Sequence, residues 1–366
     1  MVKPERGIFR RNAGLVYNLK QKIMDERSGD KEQWLKDLPL TAEKPGFKPD
    51  EMLLCEKCAR SNPPNRLKCF YCGEQLKFGD TQAGSIVPNL KQMEVWEKGF
   101  NIILTNNGSI PHSEENISAA AKLLRRETLE IKNLLQKERP LPIAKAELAE
   151  EAGIIRQRLR EIGFDSFVWP DEEIAPDSPP RRLRGLEFQD EKITFRLFNT
   201  NEAQAIPWDK LALIVTGSIF EKRVASSEKR KKNEEKQVTE SSETSHDEPV
   251  IDIYSRKDNT GWRIMTRGFD FSCVGAEKSL LAGENMKKLV GLLKLRAANV
   301  KIDEGYLKVR AALGKVWQTE EKLASHKMQR ESMGRFHFDN VMVSDNNAQF
   351  TKYSRLQWRL LKETNS

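Results

Sequence analysis

The sequence predicts an α+β multidomain chain: a small four-cysteine knot, a β-α-α-β-α-β module, and an antiparallel β module with a C-terminal helix. Three observations predict it. Four of the five cysteines fall in two C-x-x-C pairs between Cys55 and Cys72. Downstream, the apolar pattern switches between helical and strand periods over short distances. The composition, 38% hydrophobic and 32% charged, suits small modules on polar connectors better than one large enzyme core. At 366 residues the chain has room for two or three domains.

Residues 1–45 read as a helical basic N-terminal segment. "GLVYNLKQKIMDER" puts Leu15, Val16, Leu19 and Ile23 on one face, after Lys3, Arg6, Arg10 and Arg11. The knot occupies 50–80. Residues 95–172 form the second module. "FNIILT" is a strand, and "SEENISAAAKLLRRET" is an amphipathic helix with Ser113 as its cap. "LEIKNLLQKERP" is a helix stopped before Pro140. "LPIAKAE" is a strand, "LAEEAGIIRQRLREIG" a helix ended by Gly163, and "FDSFVWP" the closing strand. Asp171, Glu172 and Glu173 open a proline-rich hinge and read as a solvated acidic cluster.

Residues 181–300 read as strands: "RLRGLEFQ", "KITFRLFN" and "AQAIPWDKLALIVTGSIFEKRV", then "VIDIYSRK", "GWRIMTRG" and "FDFSCVG". The intervening 225–249 has almost no apolar residue and reads as a disordered insertion, unable to offset its ordering entropy by burial. The module ends in a helix with Leu280, Leu289, Leu292, Leu293 and Leu295 as its apolar positions. Residues 301–366 read as a helical C-terminal extension.

Zinc takes thiolates at tetrahedral corners, and each C-x-x-C turn presents two sulfurs to one metal. Cys55, Cys58, Cys69 and Cys72 therefore form the predicted ligand set for one Zn2+ ion, with Gly73 allowing the tight turn after the last ligand. Such a site is closed, with no position left for a reactive water. Asn62, Pro63 and Pro64 make the turn between the pairs. These residues, with Gly73 and Leu76, resemble the small bacterial zinc-ribbon proteins. The spacing also fits the Ran-binding-protein type of zinc finger, some of which bind single-stranded RNA through a tryptophan placed where this chain has Leu53. Arg60, Arg66, Lys68, Phe70 and Tyr71 form the candidate binding face, either for a partner or as decoration on a structural knuckle.

The stretches "FNIILTNNG", "TLEIKNLLQKERPLPIAKA" and "AEEAGIIRQRLREIGFDSFVW" resemble the C-terminal domain of the bacterial ribosomal stalk protein and the related Clp protease adaptor fold. That resemblance implies a docking module without catalytic residues. The strand-rich block with its long insertion and final helix resembles a pleckstrin-homology-like domain.

Formal net charge is +8, with both signs intermixed, which permits nucleic-acid contact without demanding it. No apolar run approaches the roughly 20 residues of a membrane span, and the basic N-terminus lacks the pattern of a signal peptide. A cytoplasmic location and no membrane partner are expected, in keeping with cysteines paired for metal. No phosphate-loop, dinucleotide, serine-elbow or H-E-x-x-H motif occurs. His112, His246, His326 and His337 read as surface residues, and Cys273 as a core residue. The function expected is a non-enzymatic zinc-binding adaptor or scaffold that docks an unidentified protein partner. The alternative is an RNA- or ribosome-associated zinc-ribbon factor.

Overall fold

The chain divides into two units, residues 1–86 and 87–366. The computed structural model describes residues 52–64, 66–76, 90, 93–94, 96–105, 112–174, 178–231, 237–258, 260–332 and 335–364. The helices expected over 1–45, with Lys3, Arg6, Arg10 and Arg11, lie outside the described residues.

In the first unit, β1 (Leu53–Leu54) and β2 (Ser61–Asn62) pair antiparallel around the first cysteine pair. Its core is Leu53, Cys55, Cys69 and Leu76, with Cys58 packed against them. That is too little apolar area for these residues to fold unaided.

The second unit begins with β3 (Phe100–Leu104), α1 (Glu114–Leu124), α2 (Thr128–Leu135), β4 (Leu141–Ala146), α3 (Ala149–Glu161) and β5 (Ser166–Pro170). β3 lies between β4 and β5, antiparallel to both. Ser113 caps α1 by accepting a hydrogen bond from the Asn116 amide, and Ile117, Ala120, Ala121 and Leu124 form its buried stripe. Gly163, at φ +86, follows α3 in the left-handed conformation that ends the helix.

A short helix, α4 (Asp171–Ile174), leads to β6 (Arg181–Phe188), β7 (Lys192–Leu197) and β8 (Ala203–Pro207). Then come β9 (Leu211–Lys231), β10 (Gln237–Ser255), β11 (Trp262–Met265), α5 (Ala282–Arg296), β12 (Lys301–Asp303) and α6 (Tyr306–Leu313). The chain closes with β13 (Glu320–Ser332), β14 (Arg335–Asp345) and α7 (Asn347–Thr364). The sheet order is β13-β14-β9-β10-β11-β6-β7-β8, with β12 parallel to the start of β9 and β11 parallel to β6.

The middle of this sheet is buried on both faces, which is why "LALIVTGSIF" reads as a continuous apolar run. Ile251 and Ile253 of β10 pack with Trp262, Leu289 and Leu293 on one face. Val250 and Tyr254 pack with Tyr306, Phe350 and Tyr353 on the other. That second core also takes in Ile102, Ile131, Ile155 and Phe164. The expected partition into modules at 95–172, 181–300 and 301–366 therefore needs correction. A sheet apolar on both faces needs cover on both, and the first block with α6 and α7 supplies the second layer.

Four further expectations are corrected. The insertion at 225–249 is not disordered along its described length: β9 runs to Lys231 and β10 starts at Gln237. β9 pairs there with β10 on one side and β14 on the other, so its backbone groups find partners without apolar burial. The C-terminal extension contains the β13–β14 hairpin as well as helices. "FDFSCVG" is a 3-10 turn, Phe271–Glu277, rather than a strand. On α5 the stripe is narrower than expected: Leu289 and Leu293 are buried, whereas Leu280, before the helix, and Leu295 are exposed.

At Gly217 of β9 the helical layer comes close to the sheet. A Cβ there would collide with the Phe350 ring of α7 and the Tyr306 ring of α6. Beneath the same layer Arg263 makes a two-pronged ion pair with Asp252, both bonds 2.7 Å. Among the described residues no helix is long and apolar enough to cross a membrane.

Candidate metal centre

Two turns of the same design build the site. In the first, Cys55 N–H donates to Arg60 O (3.0 Å) and Ala59 N–H to Cys55 O (2.8 Å). In the second, Cys69 N–H donates to Glu74 O (2.7 Å) and Gly73 N–H to Cys69 O (3.0 Å). Each turn needs a left-handed residue just after its second cysteine. Gly73 has φ +75, and Ala59 fills the equivalent place at φ +54. Lys68 and Gln75 pair across the second turn.

The four sulfurs lie within 4.8 Å of one another. Cys55 Sγ is 3.6 Å from Cys72 Sγ, and Cys58 Sγ is 3.5 Å from Cys69 Sγ. A tetrahedron of roughly 2.3 Å Zn–S bonds requires sulfurs roughly 3.8 Å apart, so the donor set fits zinc. Disulfide sulfurs would stand at roughly 2.05 Å, and all four cysteines are free thiols.

The thiols are unequal before any metal binds. Burial pushes Cys69 up, but the amides of Cys72 and Tyr71 and the Asn62 side chain outweigh it and bring the thiol down to about 6. The Glu74 amide lowers Cys72, yet burial and the three neighbouring thiols prevail and push it up to about 12. A bound Zn2+ would supply the positive charge that lets all four be thiolates together.

Asn62 is the residue that sequence reasoning undervalued. Expected as part of a turn, it is fully buried. Its Nδ2 donates to Cys69 Sγ (3.4 Å) and Arg60 O (2.9 Å), and its Oδ1 accepts from Phe70 N–H (2.8 Å). One side chain thus joins both turns and supports a ligand sulfur. The N-P-P stretch was the only available signal.

The candidate face separates into two parts. Phe70 and Tyr71 are 68% and 53% exposed, their rings 5.5 Å apart at 87°. Arg60 lies 4.7 Å from the Tyr71 ring and Arg66 4.9 Å from the Phe70 ring. Lys68 is half-buried. Leu53, in the place of the base-stacking tryptophan, is buried in the core of the knot.

The other residues singled out from sequence fall elsewhere. His246, expected in a disordered loop, stands on β10 with its Nε2 2.8 Å from Arg267. His112 stacks on Phe164 at 4.1 Å, and burial lowers its pKa. His326 and His337 lie on β13 and β14. Cys273 packs against the core; burial, then Asp270, pushes its thiol up to about 11.

Asp171 is not the solvated acid expected of a hinge. It is buried, with Lys145 at 2.7 Å and Lys352 at 3.1 Å. It also accepts from Gly99 N–H and Asn101 Nδ2, both at 3.1 Å. Burial raises its pKa, but these lysines, Lys352 foremost, and Asn101 outweigh that and hold it below the usual range.

No family model matches the chain, and it shows no significant similarity to curated proteins or to solved structures.

Proposed function

We propose that this chain is a zinc-binding adaptor that works by docking a protein partner rather than by a catalytic step of its own. The observation that carries the reading is the exposed Phe70–Tyr71 pair beside four cysteine sulfurs close enough to share one metal, which would leave no open position for chemistry. Exposed aromatics are costly on a small module and enriched where proteins meet. Arg60 and Arg66 at the ring faces suit a partner with an apolar pocket and an acidic rim.

RNA binding is the second reading, favoured by arginines beside exposed rings. The geometry supports it less. Rings at 87° give no parallel platform for successive bases, and Leu53 is unavailable for stacking.

The test is affinity capture with the zinc-loaded chain and with Phe70→Ala/Tyr71→Ala, zinc content measured in both. The expected result is a saturable protein partner lost in the variant at unchanged zinc. Identical partners in both would overturn the reading. Binding to single-stranded RNA that falls steeply with salt would replace it with the second.

A further inference from the structure

We infer that the groove between α2 and α6, in the second unit, is a binding site for a small phosphorylated ligand. Glu130, Asn133, Leu134 and Lys137 form one wall, each a helical turn or less from the next. Lys308, Ala311, Ala312 and Lys315 form the facing wall at the same spacing. The groove has a volume of about 480 Å³, and the apolar part of its walls is Leu134, which is buried, with Ala311 and Ala312. A second cleft of about 400 Å³ adjoins it, sharing Arg126, Glu130 and Lys315 and adding Arg125 and Glu127. Both volumes fall in the range of small-molecule sites.

Charge selects the ligand class. In the groove four cations, Arg126, Lys137, Lys308 and Lys315, face one carboxylate. That carboxylate, Glu130, is already paired with Lys315 at 2.8 Å. Arg126 is the half-buried member. It is fixed where α1 ends, by its amide donating to Ala121 O at 2.9 Å, and Glu130 is its charged neighbour. Burial lowers its pKa, with Glu130 opposing. This partly desolvated guanidinium stands among three lysines with only Glu130 as counter-charge, and Glu130 is shared with Lys315. A phosphate group supplies a further anion, offering paired oxygens to the guanidinium fork and acceptors to the ammonium groups. Leu134, Ala311 and Ala312 would meet the uncharged part of such a ligand. A monocarboxylate would bring one negative charge where a phosphate monoester brings about two. The site is independent of the zinc ribbon and of its proposed partner.

Thermal unfolding of the intact, zinc-loaded chain tests this, with inorganic pyrophosphate and ATP as probes and sodium chloride matched for ionic strength. The expected result is a saturable rise in unfolding temperature with a phosphate probe beyond the salt control. In Arg126→Met the chain should stay folded, since a desolvated charge is removed, and bind about tenfold more weakly. Lys137→Ala/Lys308→Ala, both at exposed positions, should weaken binding similarly and serves if Arg126→Met fails to fold. No stabilisation beyond the salt control, or equal affinity in the variants, overturns the proposal.

Discussion

The four-cysteine unit, which fits a zinc ribbon, and the second unit solve the same problem with opposite means. The core of the four-cysteine unit among the described residues is Leu53, Cys55, Cys69 and Leu76, with Cys58 packed against it, too little apolar area to hold it without a metal in the cluster. The second unit buries two large apolar clusters on the faces of one sheet and needs no such clamp. The difference teaches where each is vulnerable. The ribbon fails as a unit when one ligand goes, whereas the second unit loses stability in proportion to each contact removed.

The strongest break of this contrast is loss of metal. Structural zinc binding is worth about 10–16 kcal/mol in small modules. Cys55→Ser or Cys72→Ser should release zinc and leave amides near residues 53–76 exchanging freely, with protection across 100–364 unchanged. Hydrogen exchange read by mass spectrometry checks this; collapse of protection in both units would erase the contrast. Next comes Asp171→Asn, which leaves Lys145 and Lys352 buried without their shared counter-charge. The expected cost is about 3–5 kcal/mol in urea unfolding, with zinc content unaffected. The pH dependence follows from the same group. Its folded pKa lies below the unfolded value of 3.8, so its stabilisation is present above that value and lost as pH falls through the folded pKa. In Asp171→Asn that acid-side loss should shrink.

Smaller effects sharpen the comparison. Gly217→Ala drives a methyl into Phe350 and Tyr306 and should cost about 1–3 kcal/mol in the second unit alone. Asn62→Ala should lower zinc affinity by about 10–100-fold, read by chelator competition, without moving the unfolding of the second unit. Phe70→Ala should change stability by less than about 0.5 kcal/mol, because the ring is exposed. A large loss there would mean that the ring supports the ribbon instead of facing a partner.

The helices of residues 114–161 were legible because their signals are local. Ser113 caps α1, the apolar residues recur at helical spacing, and Gly163 terminates α3. The cysteine pairs were legible for the same reason. The distal halves of β9 and β10 were not. Their residues carry little apolar pattern, and the strand that completes β9's pairing, β14, arrives about a hundred residues later. Asp171 misled because an acid beside proline looks solvated. Its lysines come from β4 and α7, distant in sequence in both directions.

By itself, the sequence determined the two cysteine pairs that come together in one cluster and the helices of the first block, since thiol spacing within each pair and helical periodicity act over one to four residues. Only the tertiary structure decided that three apparent modules share one core, that a polar segment is a strand, and that Arg126 and three lysines meet at one groove. Each of these rests on contacts between distant residues, where backbone pairing, two-sided burial and the placing of charges are settled by what packs alongside.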